Sequence, residues 1–132
     1  MIRSAERLAG KSTSYVVNDY IAITHPLAMT RLTDMQATSR NMLIFEGSDL
    51  RKAETTYDHA HASQWFSDRN VSQGLVWTLL LRDIQPDRHG GGDDEHTSGG
   101  ANYLFADGHV ELIQAVTLRQ WVDQGRQFAI PE

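Results

Sequence analysis

Ala101-Asn102-Tyr103-Leu104-Phe105-Ala106-Asp107-Gly108-His109-Val110-Glu111-Leu112-Ile113 reads as two short strands joined by a tight turn. Asp-Gly between apolar runs is a strong hairpin signal, because a two-residue type I′ loop needs positive φ at both central positions. With Asp107-Gly108 as that loop, Ala106 faces His109, Phe105 faces Val110, Leu104 faces Glu111 and Tyr103 faces Leu112. Side chains alternate along a strand, so Tyr103, Phe105, Val110 and Leu112 fall on one apolar face that should pack on a core. Asn102, Leu104, Ala106, His109 and Glu111 form the opposite, mixed face.

Working outward, the hairpin is preceded by Asp87 to Gly100, which holds five glycines in fourteen residues and argues against regular structure. Further upstream, apolar residues at Val71, Leu75, Val76, Leu79 and Leu80 follow helical spacing, so a helix of three turns is expected over 71–84, with a buried strand over 75–81 as the rival. Pro86 ends either element. After the hairpin, Thr117 is a plausible N-cap and Gly125 a helix stop, with Leu118, Trp121 and Val122 on one face. Phe128 or Ile130 pins the tail.

The first half is rich in strand formers at Ser14 to Ile23, interrupted at Asn18-Asp19, and again at Asn41 to Glu46. Residues 27–34 read as loop or short irregular helix. Leu50 to Asn70 reads as a long surface excursion anchored by Trp65-Phe66. Residues 1–13 are polar and mixed, a frayed arm or one helical turn. No repeat and no linker divides the chain, so 132 residues make one domain, residues 1–132.

Composition narrows the function. A net charge of −5 without a clustered basic excess argues against nucleic acid as a partner. The absence of cysteine excludes disulfides and thiolate metal sites. No apolar run reaches membrane-span length, and no signal-peptide pattern opens the chain.

Metal candidates are two. His59 and His61 stand at i, i+2 and would share a strand face, but no third ligand is identifiable, so a surface loop is favoured. Asp93-Asp94-Glu95 offers hard oxygens on a Gly-rich loop, which suits Ca2+. Without EF-hand spacing the solvated acidic loop is the stronger reading. Asp107 with His109 reads as turn former and edge residue. Neither G-x-S-x-G nor H-E-x-x-H occurs, and no phosphate loop follows Gly90-Gly91-Gly92. Trp65, Trp77 and Trp121 are expected in the core, and an exposed Trp65 would reopen a sugar platform.

Arg88-His89-Gly90-Gly91, followed by Gly100-Ala101-Asn102-Tyr103-Leu104-Phe105-Ala106-Asp107-Gly108-His109-Val110-Glu111, resembles the closing signature of the bacterial prepilin-type processing-associated proteins. That family is defined by a His, a nine-residue spacer and Asp-Gly. The match covers about 25 residues closely. Here the spacer is ten residues from His96 and seventeen from His89. Arg-His-Gly-Gly fits at His89, so the acidic run 93–98 looks like an insertion.

The resemblance implies an α+β fold of pilin or pseudopilin type. An antiparallel sheet carrying the C-terminal hairpin would pack against one or two helices. Arg88, His89, Asn102, Asp107 and Gly108 would be the signature positions. It implies a non-catalytic structural subunit, outside the cytoplasm, of a type IV pilus- or type II secretion-like assembly. Its partners would be other pilin-like subunits, and the membrane would be met only through an N-terminal hydrophobic helix that the sequence lacks. An apolar patch left by that helix is expected on residues 71–84 or 1–20. Related pseudopilins hold Ca2+ in C-terminal loops, which points to Asp93, Asp94, Glu95 and His96. The alternative is a soluble module holding a glycan or metal with Trp65, His59 and His61.

Overall fold

A computed structural model of the chain describes residues 14–50 and 58–132. The arm 1–13, the Arg51-Lys52 pair and most of the first part of the 50–70 excursion lie outside the described residues. The fold is α+β. Its strands are β1 (Tyr15–Asn18), β2 (Met42–Glu46), β3 (His59–Ala60), β4 (Gly100–Phe105) and β5 (Val110–Gln114), in one sheet of order β3-β1-β2-β4-β5. Its helices are α1 (Ala62–Trp65), α2 (Asp68–Ser72), α3 (Val76–Asp83) and α4 (Ala115–Asp123). The sheet is mixed, whereas an antiparallel one was expected: β3 runs parallel to β1, and every other pairing is antiparallel. The excursion 50–70 supplies that extra strand, and α1 then turns Trp65 into the core.

One face of the sheet carries the core. Val16, Phe45, Ala101, Tyr103, Phe105 and Ile113 meet Trp65, Val76, Trp77, Leu80, Leu118 and Phe128 from the helices and tail. Burial of this apolar surface is the main favourable term holding the fold. The tail is pinned as expected at Phe128, whose ring lies 6.0 Å from Trp65 and 5.9 Å from Trp121. Tyr103 is wholly buried, and its hydroxyl has no partner among the described residues. Burial, with the nearby Glu46 charge, pushes its pKa above the ordinary phenol value.

The hairpin corrects the register expected from Asp-Gly. Leu104 faces Val110, Tyr103 faces Glu111, Asn102 faces Leu112 and Ala101 faces Ile113. The loop has three residues, 106–108. Gly108 donates to the Phe105 carbonyl (2.9 Å) and the Phe105 N–H donates to the His109 carbonyl (3.0 Å). Only Gly108 takes positive φ, at 91°, the place a three-residue type I loop with a bulge reserves for glycine. Asp107 stays at negative φ because its carboxylate caps the loop locally. It accepts the His109 N–H (3.1 Å) and pairs with the His109 ring (2.5 Å).

A one-residue slip moves a whole strand's side chains to the other face. Tyr103 and Phe105 are buried as expected, but Val110 and Leu112 are 61% and 60% exposed, and Ile113 takes the core position. This register also places Ala115, fully buried, at the start of α4, whose Leu118 is fully buried too.

The helix expected over 71–84 is two helices. The N–H of Leu75 returns to the Asn70 carbonyl (2.8 Å) and that of Gly74 to Val71 (3.2 Å), a Schellman stop that ends α2. Val71 is therefore exposed rather than buried. The rival strand over 75–81 is replaced by α3. Thr117 is not a cap: α4 leaves β5 directly at Ala115, after Gln114 in extended conformation. Its end at Gly125 is as expected, with Arg126 N–H on Trp121 O (2.8 Å).

Candidate functional site

The signature residues split between the two ends of β4. At one end the His89 and Gly100 main chains exchange two hydrogen bonds of 2.9 Å, closing a stem from which residues 90–99 emerge as a loop. A Cβ on Gly99 would run into the His89 carbonyl, so the stem closes only around glycine.

Beside the stem, Arg88 donates to Asp49 (2.8 Å) and to the Gly47 carbonyl (2.5 Å). His89 Nε2 lies 3.0 Å from both Glu46 oxygens. A carboxylate only accepts, so Nε2 carries the proton, and the Asn102 amide at 3.5 Å is a neighbour rather than a partner. The Asn102 main-chain N–H donates to Glu46 (2.8 Å). Arg88, His89 and Asn102 thus converge on the end of β2. Asp107 and Gly108 sit beyond the far end of β4, a six-residue strand away, about 20 Å. His89 and Asp107 do not form one site.

The acidic loop folds around one of its own carboxylates. Asp93 accepts the Thr97 N–H (3.0 Å) and hydroxyl (2.8 Å), and the Ser98 N–H (2.9 Å) and hydroxyl (2.7 Å). These donors, those of Ser98 first, hold Asp93 well below the usual carboxylate range. Asp94 and Glu95 are exposed, and the Glu95 carbonyl accepts from the Trp77 indole (3.1 Å).

His96 turns back to Asp87, with Nδ1 2.9 Å from a carboxylate that also accepts from Gln85 (2.6 Å). It does so in left-handed conformation, φ 60°, which costs about 1–2 kcal/mol for a residue with a Cβ. Asp93, Asp94, Glu95 and His96 therefore share a loop but not a centre. No group of three or more His, Asp or Glu side chains among the described residues is arranged to hold an ion.

The loop's order should depend on acid in a defined direction. Asp93 is lowered in the fold, so its contribution is full above the ordinary carboxylate pKa and fades as pH falls below it. As pH falls from ~4 toward the much lower folded value, Thr97 and Ser98 amide protection is expected to fade progressively, before the sheet amides change. Asp93→Asn should give the same loss at pH 7. Protection that persists in both conditions would show that the loop is held by something else.

The second cluster gathers under β3. Asp83 accepts from the Trp65 indole (2.8 Å) and the His61 N–H (2.9 Å), and pairs with the His61 ring (3.1 Å). Asp19, buried, accepts the Ser63 N–H (2.9 Å) and hydroxyl (2.5 Å). The His59 and His61 rings do meet, 4.8 Å between centroids, and His59 lies 3.3 Å from Asp58. Sequence reasoning missed Asp83, Asp19 and Glu46. The missed signal at Asp93 was Thr97-Ser98, four and five residues on, the spacing of a carboxylate that closes its own turn.

None of the three tryptophans presents a bare face. Trp65 is 1% exposed. Arg119 lies 5.2 Å over Trp77, and Arg126 lies 4.2 Å over Trp121. A groove of about 260 Å³ runs between α2–α3 and α4, walled by Phe66, Val71, Val76 and Val122, with Arg119 at its rim. The Arg119 guanidinium is already paired with Asp123 (3.1 Å).

Set against protein-family models, curated proteins and solved structures, the chain matches none of them.

Proposed function

We propose that the chain is the outward-facing, non-catalytic globular domain of a pilin- or pseudopilin-like subunit, working outside the cytoplasm among like subunits. The observation that supports this reading is the sheet's outer face. The registers line up Val17, Ile44, Leu104 and Val110 in one row across four strands, with Leu112 beside it. The helices cover the other face. Val17, Ile44 and Leu104 are half-buried and Val110 and Leu112 exposed, and an apolar row that ends in exposed side chains offers a surface to be covered. A hydrophobic helix ahead of the domain, which the resemblance implies, would cover it.

The residues that support this reading lie on the sheet and include Val17, within the 1–20 stretch expected to carry the patch; of 71–84, Val71 is exposed as well. The register slip puts Val110 and Leu112 on that sheet face. Among the described residues no helix is long and apolar enough to cross a membrane, so such a helix would come from outside them. The titratable clusters are consumed in holding loops, which fits an assembly role, and the reading needs no metal.

The test is the natural gene, expressed in its own cell with whatever precedes Met1. The protein should fractionate with membranes or fibres. Val110→Asp with Leu112→Asp should abolish that assembly while leaving the isolated domain within about 0.5 kcal/mol of its original stability, as exposed positions do. A gene that opens at Met1 with no hydrophobic segment ahead of it sinks the proposal.

A further inference from the structure

Among the described residues the last strand of the sheet, β5, has β4 on one side and no strand on the other. The phase of its hydrogen bonds shows which groups face that open side. Phe105 N–H bonds His109 O (3.0 Å), and Ala115 N–H bonds Gly99 O (2.9 Å). Antiparallel pairs alternate between bonded and non-bonded, so His109, Glu111 and Ile113 direct their main chains at β4. Val110, Leu112 and Gln114 direct theirs outward. Gly100 confirms the phase from β4: its main chain turns away from β5, to His89.

Exposed edges are normally blunted by Lys, Pro, a bulge within the strand or an inward-pointing charge. Val-Glu-Leu-Ile-Gln has no Lys, Pro or internal bulge, and its one charge, Glu111, lies on the core-side face opposite Tyr103 but is 57% exposed and held 3.6 Å from the His109 ring, so it is not driven into the core and leaves the main-chain edge open. The outward row is left as unpaired donors and acceptors between two exposed apolar side chains.

We infer that β5 pairs antiparallel with β5 of a second copy of this chain, centred on Leu112. Charge selects this register. Centring on Glu111 sets two carboxylates face to face, which is destabilising. Centring on Val110 asks for the Gly108 N–H, already given to Phe105. Centring on Leu112 pairs Val110 with Gln114 of the second copy, and Leu112 with its own equivalent. Every outward group is used, and Glu111 is set opposite a neutral Ile113. The sheet becomes continuous across a two-fold axis, as isologous contacts require. Its apolar outer row then continues through Val110 and Leu112 of both copies. The contact is small, so the pair is weak and concentration-dependent. The inference rests on the edge geometry and stands or falls separately from the fibre-subunit reading.

The chain has no cysteine, so single cysteines report the register directly. Leu112→Cys places two thiols in an opposed pair within disulfide reach. Val110→Cys places them about 13 Å apart, four residues along the strand. Val71→Cys, exposed on α2, is the collision control. Under mild oxidation Leu112→Cys should form covalent dimer at least about tenfold faster than the other two. In parallel, sedimentation of the unmodified chain should rise with concentration. Leu112→Pro, which removes only an outward N–H, should abolish that rise without unfolding the domain.

Equal rates for Leu112→Cys and Val71→Cys overturn the inference, and so does faster cross-linking by Val110→Cys. An unmodified chain that sediments as a monomer at millimolar concentration overturns it as well, whatever other strand the edge accepts.

Discussion

Trp65→Ala is expected to cost about 3–5 kcal/mol, enough to remove most of the stability of an ordinary domain. Trp65 is among the largest of the fully buried side chains and is 1% exposed. Its ring lies 5.8 Å from Phe45 on β2 and 6.0 Å from Phe128 in the tail, so one side chain ties sheet, α1 and tail together. Truncation leaves a cavity that three separate segments would have to collapse into, and close-packed interiors relax only in part. It also takes the indole N–H from Asp83, which would be left with His61 alone. Urea unfolding followed by circular dichroism measures the total. Trp65→Phe separates the terms, because it restores most of the volume but not the donor. A loss below about 1 kcal/mol for Trp65→Ala would contradict its place at the centre of the core.

Asn18→Ala is expected to cost about 2–4 kcal/mol, more than an ordinary polar-to-alanine change. The side chain is 1% exposed and fully used. Its amide donates to the Met42 carbonyl (2.9 Å) and the Ala129 carbonyl (2.8 Å), and its oxygen accepts the Tyr20 N–H (3.1 Å). Alanine would leave all three main-chain groups buried without partners, and each such orphan carries its own desolvation cost. The effect should be local first. Hydrogen exchange at Phe128 to Ile130 should quicken more than at β4, because Asn18 joins the end of β1 to the tail. Asn18→Asp should be worse at neutral pH, since its oxygens would face two carbonyls. A tail whose exchange is unchanged in Asn18→Ala would rule out this anchoring role.

The strand at 41–46 and the first piece of 14–23 were legible in the sequence because β-branched and aromatic residues cluster there, but β1 is only Tyr15–Asn18, and the second piece is a 3-10 turn, Asp19–Ile21, capped by the Asn18 side chain. Trp65 was legible as an anchor for the same kind of reason, a large apolar side chain in a polar stretch. The hairpin register was not. Asp-Gly serves both a two-residue and a three-residue loop, and the choice is made by the Asp107 bonds to His109 and by the distant burial of Ile113. The parallel pairing of β3 with β1 joins Val17 to His59 across forty-odd residues, roughly, and no local pattern in a two-residue strand encodes it. Gly74 breaks a helical pattern that apolar spacing alone carries through it.

The internal closure of the acidic loop was not legible either. Carboxylates on a Gly-rich segment suit an ion, but the hydroxyls and N–H groups of Thr97 and Ser98 satisfy Asp93 from within.

The His89–Gly100 stem has an evolutionary consequence. A loop whose two ends are already hydrogen-bonded to each other is insulated from the sheet that bears it. Lengthening it ahead of the Trp77–Glu95 and His96–Asp87 bonds leaves those in place and costs closure entropy, about 0.6 kcal/mol for each doubling of length. Between the glycines at 91 and 99, where a Cβ would strike Asp87 and His89, residues 92–98 can therefore gain, lose or exchange sequence while β4 and its neighbours stay in place. Variation is cheap there, and a new recognition surface could be acquired at that position without redesigning the fold.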